Sequence, residues 1–100
     1  MTKTPQMTMA QVRAAIDRID DDMVRLIAER QRWVEAAVEI KLREGLAARI
    51  PERIAEVLER TAAEAKSCSA DPGLVKAVWS EMIEWFVTYE ERKLEERSRL

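Results

Sequence analysis

Four cations and one carboxylate stand where they could do chemistry: Arg13, Arg30, Lys41, Arg53 and Glu90. Arg30 interrupts an apolar series between Leu26 and Trp33, and Lys41 follows eleven residues later. At 100° per residue, eleven residues bring Lys41 within about 20° of Arg30 on one helix face, roughly 16 Å further along. Ile27, Val34 and Ala37 line that face, which should therefore be dry. Alone, either cation reads as a side chain whose stem covers apolar surface while its head reaches water. Two on one apolar face read as the wall of a site. Arg53 lies beside Ile50, Ile54 and Val57 in the first turn of a helix, an electrostatically poor place for a cation. An ordinary surface arginine is the competing reading there. Glu90 extends the apolar series Ile83, Phe86, Val87. It is either solvated where the helix emerges, or a carboxyl in a pocket, where desolvation disfavours its charge and a nearby cation favours it. Arg13 precedes Arg30 by 17 residues, about 100° round the helix and roughly 25 Å away. It cannot share a small ligand with Arg30 of its own chain, but an antiparallel partner could supply it. A cavity with several fixed cations suits a small dicarboxylate, because guanidinium groups pair bidentately with carboxylates.

The missing residue types narrow the chemistry. There is no His and one Cys, Cys68. Ser-His and Cys-His nucleophile pairs, His bases, His metal ligands and Cys-cluster metal sites are excluded. No metal and no cofactor are expected. The net charge of −2, with acidic residues interspersed throughout, gives no basic face for nucleic acid. No run of 18 apolar residues exists to span a membrane, and the start lacks an apolar signal region. A cytoplasmic location is the default expectation.

The elements that must position these residues are helices. Hydrophobic residues make up 47% of the 100, charged residues 36%, with only 2 Gly and 3 Pro. That composition predicts an all-α fold with narrow apolar stripes. Residues 1–8 read as a flexible polar arm, and 9–100 as one helical domain. From Met9 the apolar positions step 3, 4, 3, 4 through Val12, Ile16, Ile19, Met23, Leu26, Trp33 and Ala37 to Ile40, a heptad seam with Arg30 inside it. One long helix is predicted from about Met9 to Glu44, with Thr8 as its cap. A breaker zone from Gly45 leads to Pro51, which opens a short second helix to about Lys66. Asp71-Pro72 opens a third, expected to end in the charged tail after Lys93. The first helix, roughly 50 Å long, overhangs any compact domain of this length. A second copy of the chain is the economical cover for its seam, so a homo-oligomer is predicted.

Four stretches resemble the all-helical chorismate mutase family: Val12–Asp20, Leu26-Ile27-Ala28-Glu29-Arg30, Val38-Glu39-Ile40-Lys41 and Pro51-Glu52-Arg53. The resemblance covers about residues 9–95. Ile-Pro-Glu-Arg-Ile at 50–54 and Met-Ile-Glu-Trp-Phe at 82–86 resemble the branch containing isochorismate pyruvate-lyase. The resemblance implies an intertwined homodimer of three-helix protomers with two sites. Each site takes Arg30, Lys41, Arg53 and Glu90 from one chain and Arg13 from the other. It implies that Arg13 and Arg30 bind substrate carboxylates, and that Lys41 and Glu90 meet the ether oxygen. The activity it implies first is the rearrangement of chorismate to prephenate, which is unimolecular and needs no nucleophile, consistent with the absent His; cleavage of isochorismate to salicylate and pyruvate is the second. Two positions differ from the mutase pattern: Ile54, where mutases often carry a glutamate, and Phe86, where some carry a serine. Both changes resemble the lyase branch, whereas Glu90 differs from the glutamine of the lyase type. A helical dimerisation module without catalysis is the alternative from a different class; it would have no need of Arg30, Lys41 and Arg53 together. The Gly45–Ile50 loop is a candidate lid, with Arg49 as a further cation.

Overall fold

The computed structural model describes residues 6–99, which form three α-helices and no strand: α1 Met9–Glu44, α2 Pro51–Ser67 and α3 Pro72–Ser98. Of the predicted arm, 1–5 lie outside the described residues, and 6–8 are not helical. The predicted starts hold for identifiable reasons. Thr8 Oγ1 accepts from the Gln11 amide, and Gln11 Oε1 accepts from the Thr8 amide, a reciprocal capping box that satisfies two otherwise orphan donors. Asp71 Oδ1 accepts from the amides of Gly73 and Leu74 at the head of α3. Pro51 and Pro72 occupy first-turn positions, where a missing N–H costs nothing.

Helix α1 stops at Gly45, whose φ of +67° is the left-handed conformation that glycine adopts without strain. The Leu46 amide then reaches back to the Lys41 carbonyl at 2.9 Å and closes a Schellman turn. Ser69, at φ +60°, ends α2 likewise, with the Ala70 amide on the Ala65 carbonyl at 2.8 Å. Helix α3 ends at Ser98, inside the charged tail after Lys93 where its end is predicted. Ion pairs within the tail carry the helix that far. Lys93 pairs with Glu96 and Arg99 with Glu95, at helical spacing, and Arg97 is tied to Glu39 of α1.

The chain divides into two compact units at Trp33. In the first, the described part is the capping segment and α1 up to Trp33. Its apolar seam is open in the single chain: Ile16 is 50%, Met23 48% and Trp33 71% exposed. In the second unit, α2 and α3 share a core, and the end of α1 is joined to α3 through Lys41–Glu90, Glu35–Tyr89 and Glu39–Arg97. Val57, Ile83 and Val87 are the centre of that core, with Ile54, Leu58 and Trp79 packed against them. Val38 and Phe86 are also buried, and the Thr61 hydroxyl is satisfied by the Val57 carbonyl at 2.9 Å. Burial of side chains of this size stabilises by roughly 1.5–3 kcal/mol each. The α1 stripe turned inward here is Val34, Val38, Lys41 and Leu42, at helical spacing but off the heptad seam. The face predicted to be dry is only partly so in the single chain, with Val34 and Ala37 half-buried and Ile27 exposed.

Candidate functional site

The second unit brings together two of the five singled-out residues. Lys41 and Glu90, 49 residues apart in sequence, meet with Lys41 Nζ donating to Glu90 Oε1 at 2.8 Å. The same ammonium donates to the Ala48 carbonyl at 2.9 Å. Local folding explains the encounter. Lys41 sits in the last turn of α1, one turn beyond buried Val38, so its stem follows the inward stripe. Glu90 follows buried Phe86 and Val87 on α3. Both ends of the pair are withdrawn from water, with side-chain exposures of 16% and 10%. An isolated charge there would be costly; a close pair with a further hydrogen bond is tolerated. A lysine ammonium has three donors, so two described acceptors leave one direction for another oxygen.

Arg53 is elsewhere. It lies on the surface of α2 and donates to Glu56 of its own helix, a pair that is more than half exposed. Arg13 and Arg30 belong to the first unit, both on α1; Arg13 is exposed and Arg30 half-buried. Ile54 and Phe86, the departures from the mutase pattern, are built into apolar surroundings. Ile54 packs on the Val57–Ile83–Val87 cluster, and Phe86 is buried edge-on to Trp85 with ring centroids 5.1 Å apart.

Several partners have no signal in the sequence. Arg49 grips Glu84 bidentately at 2.9 and 2.7 Å, and Arg97 grips Glu39, with its second bond at 3.0 Å. Hydrogen bonding to these arginines holds the carboxyls of Glu84 and Glu39 below their ordinary value. Tyr89 donates to Glu35 at 2.8 Å and stacks on Trp85. A cavity of ≈ 300 Å³ opens here between the end of α1 and α3, lined by Glu35, Val38, Glu39, Tyr89, Lys93, Glu96 and Arg97. A second of similar size lies over α3 around Trp85 and Arg92. Neither is lined by Lys41, Glu90 or Arg53. Among the described residues no group of three or more His, Cys, Asp or Glu is placed to hold a metal ion. No described helix is long and apolar enough to cross a membrane.

A fixed ammonium against a carboxylate, on an all-helical frame, is an arrangement for positioning and polarising an oxygen. The family model for chorismate mutase type II matches residues 12–91. The chain belongs to the chorismate mutase type II family. The match takes in Arg13, Arg30, Lys41, Arg53 and Glu90. A curated relative, the isochorismate pyruvate lyase of Pseudomonas aeruginosa, is 36% identical over 87 residues, covering 85% of each chain. The resemblance drawn from the Pro-Glu-Arg and Met-Ile-Glu-Trp-Phe stretches is thereby shown, both for the family and for the lyase relative.

Proposed function

We propose that the protein is a chorismate mutase, rearranging chorismate to prephenate. The observation that carries the reading is Lys41, an ammonium held by Glu90 and the Ala48 carbonyl with a donor to spare, within a chain of this family. In the rearrangement an ether C–O bond breaks as a C–C bond forms within one molecule. The catalyst must hold the enolpyruvyl arm over the ring, a restriction of conformation. It must also stabilise negative charge growing on the ether oxygen, which preorganised donors do without moving. Lys41 is the donor to that oxygen, assisted by Arg30. Arg13, Arg30 and Arg53 take the two carboxylates, with Arg13 supplied by a second copy of the chain. Glu90 orients Lys41. No metal or cofactor is required by this chemistry.

The site is then completed in an intertwined homodimer. The open seam supports this: Ile16, Ile19, Met23, Leu26 and Trp33 are exposed in the single chain. Covering each would gain roughly 1.5–3 kcal/mol.

A second reading is favoured by specific observations. Ile54 and Phe86 replace polar mutase positions with apolar ones, and the curated relative at 36% identity is named as a lyase. Cleavage of isochorismate to salicylate and pyruvate would use the same cations. There the hydrogen lost as the ring aromatises balances the enolpyruvyl methylene becoming a methyl group. Purified protein given each substrate separately distinguishes the two. Prephenate from chorismate supports the mutase, and salicylate with pyruvate from isochorismate supports the lyase.

A further inference from the structure

The Gly45–Ile50 loop touches Lys41 through its backbone and is moored to α3 through the Arg49 side chain. Lys41 is bound to the loop twice: its carbonyl accepts from the Leu46 amide, and its ammonium donates to the Ala48 carbonyl. Ala48 is buried, although it is a loop residue. The very next residue, Arg49, turns outward and grips Glu84 of α3 with two parallel hydrogen bonds. Glu84 and Glu90 lie six residues apart on α3, about 9 Å along its axis. The loop is therefore joined to one helix at two heights, directly by Arg49 on Glu84 and indirectly by the Lys41 ammonium, which bridges the Ala48 carbonyl and Glu90.

We propose that Arg49 and Glu84 are positioning residues for Lys41: their bidentate pair fixes the Ala48 carbonyl, which with Glu90 aims the ammonium. Neither touches the reacting atoms. This inference rests on the reading of Lys41 as the donor to substrate. The bidentate fork constrains geometry as well as distance, which a single-point lysine pair would not. Arg49 and Glu84 are each about half exposed, so removing the pair loosens the loop without opening the core. The effect is accordingly bounded by what an exposed ion pair supports.

The test uses the full-length protein with Arg49→Gln, Glu84→Gln and the exchanged pair Arg49→Glu/Glu84→Arg. The first readout is the acylation rate of Lys41 by an amine-reactive ester, followed by mass spectrometry against exposed Lys66 as internal standard. The second is the split of turnover into kcat and KM on whichever substrate the wild type converts. Each single variant is expected to speed Lys41 labelling about two- to fivefold and lower kcat by a similar factor with KM little changed. The exchanged pair is expected to restore both towards wild type. Unchanged labelling in the single variants overturns the proposal, as does faster labelling with unchanged kcat. Faster labelling in a protein whose wild type converts neither chorismate nor isochorismate keeps the brace and removes the proposed function instead.

Discussion

Lys41 and Glu90 depend on each other more than on anything else in the fold. Each carries a formal charge into a place that is mostly dry. Removing one partner leaves the other uncompensated, whereas removing both leaves an ordinary apolar contact. Lys41→Met is therefore expected to destabilise by about 3 kcal/mol, and Lys41→Met/Glu90→Met to recover most of that loss, measured by urea unfolding. Equal and additive losses would contradict the coupling. At the surface, Glu39 and Glu84 have carboxyls held below the ordinary value of 4.5 by their arginines. A carboxyl lowered in the folded state contributes stability above the unfolded value and loses it as pH falls through the folded one. The thermal midpoint is expected to be level above about pH 5 and to drop below it, and Glu84→Gln with Glu39→Gln to flatten that drop. The anomalous placement of Lys41 and Glu90 was legible in the sequence, because each charge extends an apolar helical face. The surface ion pairs were not. Arg49–Glu84 and Arg97–Glu39 join residues 35 and 58 apart, and no local pattern encodes such pairings.

At the scale of the elements, both the starts and the ends of the helices were legible. Thr8, Pro51 and Asp71-Pro72 act within one turn, through bonds made by the residue itself or through proline geometry. The end of α3 falls within the charged tail where it was read, and i,i+3 and i,i+4 pairs together with Glu39 of α1 carry the helix to Ser98. Val38 escaped the heptad reading because the end of α1 buries a different stripe from the seam. Gly45 is the one glycine whose conformation the site needs. Its left-handed turn delivers the Leu46 amide to Lys41 and starts the loop that carries Ala48. A Cβ meets nothing there, so the cost of Gly45→Ala is backbone strain alone. A loss of about 1 kcal/mol in folding stability is expected, together with faster amide exchange across 46–50. Unchanged exchange would show that the turn does not set the loop.

For the whole molecule, the seam of α1 is the feature a single chain leaves unexplained. Apolar side chains at heptad spacing face water from Val12 to Trp33. An intertwined pair would cover them and carry Arg13 to the site of its partner. Analytical ultracentrifugation of the wild type is expected to give the mass of two chains, and Ile16→Asp/Ile19→Asp to give one chain without turnover. A wild type that sediments as a single chain would contradict the shared site. The most direct measurement concerns the reaction itself. Wild-type protein and Lys41→Ala are each incubated with chorismate alone and with isochorismate alone, and the products are identified by chromatography and mass. Prephenate from chorismate with wild type, and none above the uncatalysed background with Lys41→Ala, is the expected result. No conversion of either substrate by the wild type, or equal conversion by Lys41→Ala, would contradict the assignment of the Lys41 site.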